Sequence, residues 1–384
     1  MRGNITRRGK SSWRIKFDAG TGDDGKRRYH VETIRGARKD AEALLAKRLN
    51  ELAHGRYVAP TVETVASYAE HWLTNIAPAD RCATTVERYA TLIRAHILPG
   101  LGKVPLQKLD GPMLDRFYAR LRKEGRRDGK GLASMTLRHV HRLLSQLLSS
   151  AVKAKKLPKS PMTDLQTKPS KAKAKKVDVL DDAELAKLLD HLRGNWFYLP
   201  SLLAACTGLR RGEVLGLRWR DLDFAKGTLT VAQSAEVIGG KVVMTAPKTE
   251  RSRRTIELPA SVLPELTLHR KEQAERRLRL GLGKDRDGLV FTNSLGSVIA
   301  PEVLSVTFTR AVVAIGIKRI TFHALRHGHI TALLRAGVPV HVVSARAGHA
   351  RPSITLDTYA HLLTGDDSAA AKIADALLRK MLNG

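Results

Sequence analysis

The chain has 384 residues, of which 43% are hydrophobic, so it is long enough for two or three domains with buried cores. A net charge of +30 is spread over every part of the chain and predicts a polyanionic partner, nucleic acid first. No run of about 18 apolar residues and no signal-peptide pattern occurs, and the only cysteines, Cys82 and Cys206, do not suggest a pair. These features exclude a membrane protein, a disulfide scaffold and a cysteine-built zinc site. They favour a cytoplasmic, nucleoid-associated protein.

Residues 1–58 are predicted to form short strands followed by a helix. In SSWRIKF every second residue is apolar, RRYHVETI predicts a further strand, and an amphipathic helix then runs to Gly55. Basic residues at the strand edges favour a sheet that lies in a DNA groove, and a small solvated sheet without a ligand is the alternative. The candidate DNA contacts are Arg7, Arg8, Arg14, Arg27 and Arg28.

Residues 61–152 are predicted to form a compact bundle of about four helices, because their apolar residues recur with the helical period. In the first of these helices Val65, Tyr68, Ala69 and Trp72 fall on one side. Residues 153–177 are rich in Lys and Pro and poor in large apolar side chains, so they predict a basic linker with no core to join. Lys173, Lys175 and Lys176 within it are candidate contacts to an anionic groove.

Residues 178–384 are predicted to form the largest, mostly helical unit. Asp181 is a candidate helix cap, a helix is expected to break at Thr207-Gly208, and GTLTVAQ, KVVMTAP and SRRTIELP predict three short strands. Further helices follow, and DSAAAKIADALLRKML forms an amphipathic tail from Asp367. The fold class is therefore mainly α with small β-sheets (α+β).

Arginine and histidine residues within apolar segments of this unit predict a site for an anion. Arg210 in CTGLRRGEVLGL precedes Glu213 by three residues, so the two form either a structural ion pair or a pair with spare guanidinium donors for a phosphate. In ITFHALRHGHIT, His323 and Arg326 share a helix face. His323 and His327 also have metal-ligand spacing, but no Glu follows the first histidine and an arginine lies between them, which disfavours zinc.

The last candidates precede and follow the HALRH segment in the sequence. Lys248 in APKTERSRR is placed at the tip of a strand pair, where a lysine either reaches a leaving oxygen or is simply solvated. His349 and Tyr359 lie in RAGHARPSITLDTYAH. A half-buried packing role is the ordinary one for a tyrosine, but nearby Arg and His charges would promote its deprotonation and attack on phosphorus. A phosphotyrosine bond would let strands rejoin without ATP or a metal.

The order and spacing of these motifs resemble those of the tyrosine recombinase family, the phage-type integrases. The motifs are TGLRRGE, PKTERSRR, HALRH, GH and DTYAH, and the resemblance extends over nearly the whole chain. It implies an arm-type DNA-binding domain with a three-stranded sheet and a helix in residues 1–58, a core-binding helical domain in 61–152, and a catalytic domain in 178–384.

The resemblance also implies a mechanism of DNA integration and excision for a mobile element such as a prophage. Tyr359 would attack the scissile phosphate to give a 3′-phosphotyrosine, with Arg210 and Arg326 on the nonbridging oxygens. Lys248 would protonate the leaving oxygen, His323 would be the general base, His349 would bind the phosphate, and Glu213 would brace the site from behind. No cofactor and no metal are implied.

The partners implied are double-stranded DNA with core and arm attachment sites, and three further copies of the chain in a tetramer on paired sites. Directionality and DNA-bending factors are further candidates, and no membrane is implied. The tail from Asp367 would dock on a neighbouring protomer, or else on its own domain. Two other functions are alternatives: a catalytically inactive DNA-binding regulator on this fold, which would have lost at least one of the six catalytic side chains, and a type IB topoisomerase, which shares them.

Overall fold

In the computed structural model the chain separates into two compact units, residues 1–173 and residues 174–384. The structure describes residues 3–21, 27–54, 57–126, 128–169, 178–247, 252–283, 285, 288–359 and 367–382. The helices and small antiparallel sheets confirm the predicted fold class.

The N-terminal part of the first unit is a three-stranded antiparallel sheet with one helix, as expected. The order is β1-β2-β3, and the helix α1 follows directly. Ile15 and Phe17 of the central strand are buried against Ala41 and Leu45 of α1, so the alternation seen in SSWRIKF marks the inner face of the sheet. The elements are β1 (Gly3–Gly9), β2 (Ser12–Thr21), β3 (Arg27–Arg35) and α1 (Arg38–Ala53).

The rest of the first unit is the predicted helical bundle. Val65, Tyr68, Ala69 and Trp72 are all buried in its core, which confirms the apolar face expected for the first helix. Single π-turns at residues 72–76 and 93–97 join consecutive helices without a break. The α-helices are α2 (Val65–His71), α3 (Ala77–Asp80), α4 (Ala83–Leu92), α5 (Leu98–Leu101), α6 (Gly111–Glu124) and α7 (Ser134–Lys153).

The prediction of a linker without a core is wrong for the segment that follows α7. Leu157, Met162 and Leu165 are buried in the core of the bundle, and a 3₁₀ turn at Pro161–Asp164 lies between the first and last of them. Three well-spaced apolar side chains are enough to hold this segment, despite its high content of Lys and Pro. The expected linker residues Lys173, Lys175 and Lys176 lie in 170–177, outside the described residues.

The second unit contains two small antiparallel sheets among its helices. The sequence predicted three strands, which correspond to β5, β7 and β8, while β4 and β6 were not expected. β6 pairs with β7 as a hairpin, and the other sheet has the order β4-β5-β8. The strands are β4 (Leu222–Asp223), β5 (Thr228–Val231), β6 (Ser234–Ile238), β7 (Lys241–Thr245) and β8 (Arg254–Glu257).

The helices of the second unit enclose one large core and one small satellite cluster. Asp181 caps the first helix through a capping box with Glu184, as predicted. The small cluster joins α13, α14 and α15 and contains Tyr359. The helices are α8 (Asp182–Leu192), α9 (Tyr198–Thr207), α10 (Arg211–Leu215), α11 (Leu263–Arg279), α12 (Pro301–Ala314), α13 (Phe322–Arg335), α14 (Val340–Ala347), α15 (Pro352–Tyr359) and α16 (Asp367–Leu382).

Helix α16 is the expected tail. Leu378 is 55% exposed and Met381 is 78% exposed. These two apolar side chains are therefore not covered by their own domain.

Candidate active site

The turn after α9 positions Arg326, the charged side chain with the lowest exposure among the described residues. Helix α9 ends at Gly208, whose φ of +69° lies in the left-handed region, and a Cβ there would lie 2.8 Å from the His329 ring. The turn directs the Gly208 carbonyl toward α13, where it accepts a hydrogen bond of 2.6 Å from Arg326 Nη1. The break predicted at Thr207-Gly208 is therefore part of the site.

Glu213 links two arginines at the start of α10. Arg210 is the N-cap of this helix rather than a residue within it, and its Nη1 lies 2.7 Å from Glu213 Oε1. The other carboxylate oxygen lies 2.9 Å from Nη2 of Arg254, which comes from β8. Burial raises the pKa of Glu213, but the hydrogen bond and charge of Arg254 and the charge of Arg210 outweigh it and lower the pKa to about 2. Glu213 is therefore an ionised brace for both arginines.

Arg210 and Arg326 retain donors for an anion. The Arg210 side chain is 38% exposed, and its Nη2 donates to the Gly348 carbonyl at 2.9 Å. Arg326 is 2% exposed, and within the described part of the chain its buried Nη2 has no hydrogen-bond partner. Burial and then the positive charge of Arg210 lower the pKa of Arg326 to about 9. Arg326 is thus a buried cation with an unpaired donor, and with the partly exposed Arg210 it forms a site for a negatively charged group.

Two predicted histidines lie beside these arginines. His323 is exposed at the surface, yet partial desolvation by the protein around it, followed by the charges of His327 and Arg326, lowers its pKa to about 4. Desolvation and the charges of Arg326 and Arg210 likewise lower the pKa of His349 to about 4. The His349 Nδ1 is held at 2.7 Å from the hydroxyl of Thr355, which is fully buried. Both rings are neutral at neutral pH.

Tyr359 ends α15 and is 1% exposed. Its ring belongs to the small buried cluster that contains Ile330 and Leu334, and its hydroxyl is hydrogen-bonded to His327 Nδ1. The sequence had suggested that nearby positive charges would favour the phenolate. In the structure burial has the larger effect and raises the pKa of Tyr359 to about 12, although the charge of Arg326 acts in the opposite direction. The tyrosine is therefore protonated in this arrangement.

A cleft of about 280 Å³ opens beside Arg210 and Glu213. It is also lined by Gln233, Ser234 and Pro247. Pro247 is the last described residue before Lys248, which lies outside the described residues together with the rest of 248–251.

The predicted DNA contacts of the N-terminal sheet do not share one face. Arg14 is opposite Thr6 and Thr33 on the solvent side of β2, next to Lys16, whose Nζ lies 4.5 Å from the Tyr29 ring. Strand alternation places Arg27 on this solvent face and Arg28 on the other. Arg7 is opposite Trp13, on the inner side, and Arg8 is exposed.

Three contributors to the site were not identified from the sequence. Arg254 is 41 residues from Glu213 in sequence, and its side chain reaches that carboxylate from the first residue of β8. Thr355 orients His349, and only its spacing of six residues from that histidine could have suggested this contact. His327 was considered only as a metal ligand, whereas the structure places it against Tyr359.

The described residues contain neither a metal-ligand cluster nor a helix that could span a membrane. They contain no group of three or more His, Cys, Asp or Glu side chains arranged to hold a metal ion. No helix among them has the length and apolar character required to cross a membrane.

The sequence matches two models of one family. Residues 178–365 match the phage integrase family and residues 64–122 match the phage integrase N-terminal SAM-like domain. A tyrosine recombinase XerC-like protein of Caldanaerobacter subterraneus is 29% identical, over 97% of this chain and 98% of its own. An integrase of Streptomyces ambofaciens is 27% identical, over 89% of this chain and 87% of its own.

Solved structures have the same fold. The Tn1549 transposon integrase in complex with a circular intermediate DNA superposes with a TM-score of 0.67 at 20% identity, over 82% of this chain and 99% of that one. A lambda integrase dimer bound to a core site gives 0.55 at 18% identity, over 92% and 94% of the two chains. The fold, the cluster of two arginines, two histidines and a tyrosine, and the family matches identify the class of protein. The chain belongs to the phage integrase family of tyrosine recombinases.

Proposed function

We propose that this chain is a site-specific DNA recombinase that cleaves and rejoins DNA through a covalent 3′-phosphotyrosine. In this role it integrates and excises a mobile element such as a prophage, acting on DNA in the cytoplasm at the nucleoid. The observation that carries the proposal is the buried, unpaired Nη2 of Arg326, close to Arg210 and Tyr359. A buried guanidinium with a free donor favours binding of an anion, and a DNA phosphate supplies one.

In the proposed reaction Tyr359 is the nucleophile, and Arg210 and Arg326 bind the nonbridging oxygens of the scissile phosphate. Both guanidinium groups are fixed in advance, Arg210 by Glu213 and Gly348 and Arg326 by Gly208. Donors that need no rearrangement stabilise the charge that develops on the phosphate in the transition state.

The remaining roles concern protons and support. Thr355 engages Nδ1 of His349, which leaves Nε2 of that ring for a phosphate oxygen. His323 lies beside Arg326, where the family resemblance makes it the general base. Lys248 is proposed to protonate the leaving 5′ oxygen, and in the sequence it directly follows Pro247, which lines the cleft beside Arg210. Glu213 supports the site from behind.

DNA binding is assigned to all three parts of the chain. The solvent face of the N-terminal sheet, with Arg14, Lys16 and Arg27, binds arm-type sites, and the bundle of residues 61–165 binds the core site with the catalytic unit. The lysines of residues 170–177 contribute phosphate contacts. Directionality and DNA-bending proteins are proposed as additional partners.

The test uses a core-site duplex with a nick just 3′ of the scissile phosphate, so that the short fragment diffuses away after cleavage. We expect the intact protein to form a denaturant-resistant protein–DNA adduct in the presence of EDTA, because no step uses a metal. Tyr359→Phe should form no adduct yet bind the duplex normally. Cleavage that requires Mg²⁺, or an adduct with Tyr359→Phe, would contradict the proposed chemistry.

We further propose that four protomers assemble on two paired core sites through α16. Leu378 and Met381 are exposed on this helix, and an amphipathic helix gains stability when a neighbouring protomer covers such a face. Deleting residues 367–384 should leave binding to one core site intact and abolish the paired complex. Analytical ultracentrifugation on paired sites measures both, and a four-protomer complex formed by the truncated protein would refute the exchange of α16.

A further inference from the structure

The Tyr359 hydroxyl has a specific partner that the family motifs do not identify. It is hydrogen-bonded to Nδ1 of His327, and the two ring centroids are 5.8 Å apart. Among the described residues this is the side chain that binds the hydroxyl. His327 directly follows Arg326 on α13, so the same turn of helix carries the phosphate-binding guanidinium and the partner of the tyrosine.

Apolar packing fixes this contact. The Tyr359 ring lies in the small cluster formed with Ile330 and Leu334 of α13 and with Val343 and Ala347 of α14. Ile330 and Leu334 are three and seven residues after His327, on the same face of the helix. The phenol therefore lies along α13 with its ring on the apolar positions and its hydroxyl on His327.

The surroundings of His327 keep its ring neutral. The charged and titratable groups that face it are His323 and Arg326 on α13, His349 after α14, and Tyr359 on α15. Burial and then the charge of Arg326 lower the pKa of His327. A neutral imidazole has one unprotonated nitrogen, and in the tautomer with the proton on Nε2 the His327 Nδ1 accepts the hydrogen bond of the buried, protonated phenol.

We propose that His327 is the catalytic base that accepts the phenolic proton of Tyr359 during attack on the scissile phosphate. This rests on the proposed function. The Tyr359 oxygen bonds to phosphorus, the bond from phosphorus to the 5′ oxygen breaks, and that oxygen takes a proton from Lys248. The phenolic proton moves to His327 Nδ1. On rejoining, the incoming 5′-hydroxyl returns a proton to Lys248, and His327 returns its proton to the departing Tyr359 oxygen.

This assignment gives the two histidines of HALRH different roles. His323 packs edge-to-face on His327 with the ring centroids 4.7 Å apart, and the hydroxyl of Tyr359 is bonded to His327. His323 is then free to bind the phosphate, beside Arg326.

The experiment compares single-turnover cleavage of the nicked duplex between about pH 5.5 and 10 for the wild type, His327→Asn and His323→Asn. Asparagine at 327 still accepts a hydrogen bond from Tyr359 but cannot take its proton. The wild-type rate should rise with pH and then level off once the base is neutral. With His327→Asn the rate at neutral pH should fall about 10²–10⁴-fold and should keep rising, about tenfold per pH unit, because only free phenolate reacts.

His323→Asn is the matched control, one helical turn away on the same face. It should be slower than the wild type but retain the plateau. A plateau kept in His327→Asn, or lost in His323→Asn alone, would overturn the proposal.

A 5′-bridging phosphorothiolate substrate provides the second readout, because its thiolate leaves without a proton. This substrate should relieve the defect of Lys248→Ala and leave the defect of His327→Asn in place. Relief of the His327→Asn defect would show that His327 acts on the leaving group and would also overturn the proposal. Failure of the proposed function itself is distinguishable, since the wild type would then form no adduct with either substrate.

Discussion

The active site and the N-terminal sheet both carry many cations. Those of the active site are mostly buried and fixed by hydrogen bonds, whereas those of the sheet are exposed. In the active site Arg326 is 2% exposed, and the side chains of Arg254 and Glu213 are 7% and 6% exposed, each fixed by short hydrogen bonds. On the sheet Lys16 and Arg27 are exposed, and Lys16 has an aromatic ring beneath it rather than a carboxylate.

The difference follows from what each site does. Buried, preorganised charges interact strongly with a phosphate whose charge changes during a reaction, because little water screens them. Exposed charges bind a phosphate by releasing counterions, so their contribution falls steeply with salt. The chemistry should therefore depend on geometry and tolerate salt, whereas binding by the sheet should depend on charge number and be lost in salt.

In this comparison, the largest effect is expected on the cleavage rate when a buried active-site arginine is replaced. Arg326→Ala should reduce cleavage of the nicked duplex about 10²–10³-fold, because one preorganised donor to the developing charge is lost. Arg335→Ala, at the exposed end of the same helix, is the control and should cleave normally. The cleavage rate is measured under single-turnover conditions on prebound DNA. Near-normal cleavage by Arg326→Ala would show that Arg326 does not bind the scissile phosphate.

Glu213→Gln tests whether the brace is electrostatic. Loss of its charge removes the carboxylate that pairs with both Arg210 and Arg254, and the free energy of unfolding should fall by about 3 kcal/mol in urea titrations. Glu302→Gln, from an exposed pair with Arg211 at 3.8 Å, should change it by less than about 1 kcal/mol.

The stabilities of the wild type and Glu213→Gln should also depend differently on pH. The folded-state pKa of Glu213 is lowered to about 2, so its contribution is complete above the unfolded-state pKa near 4.5 and is lost as the pH falls toward 2. The difference in unfolding free energy between the wild type and Glu213→Gln should narrow over this window. A difference that stays constant with pH would mean that the carboxylate charge is not what stabilises the fold.

The smallest effect is expected on DNA binding when exposed cations of the N-terminal sheet are replaced. Replacing both Arg14 and Lys16 by Ala should lower the slope of log affinity against log salt by about 2 for arm-site DNA, and leave core-site cleavage unchanged. Arg7→Ala is the matched control, since Arg7 lies opposite Trp13 on the inner side. An unaltered slope in the double variant, measured by gel shift at several salt concentrations, would move arm-site binding to another surface.

The sequence predicted the parts of the site that depend on local spacing. The ion pair of Arg210 with Glu213, the helix break at Gly208 and the shared helix of His323 and Arg326 need only a few residues of context. The contact of Arg254 with Glu213 and that of His327 with Tyr359 depend on how distant elements pack, which no local pattern encodes.

Burial also decided features that residue type alone did not predict. The positive neighbours of Tyr359 suggested a lowered pKa, but the apolar cluster of Ile330 and Leu334 raises it. The Lys-rich segment after α7 suggested a free linker, but Leu157 and Met162 pack into the bundle. Which arginines share the solvent face of the sheet follows from strand register, which had not been predicted.

The central claim is that Tyr359 is the residue joined to DNA. The most direct measurement is mass spectrometry of the peptides released from the denatured adduct that forms on the nicked duplex without a metal. We expect one peptide containing Tyr359 to carry the oligonucleotide through its 3′-phosphate, and the adduct to be absent in Tyr359→Phe. An oligonucleotide attached to any other residue, or joined through a 5′-phosphate, would contradict the account.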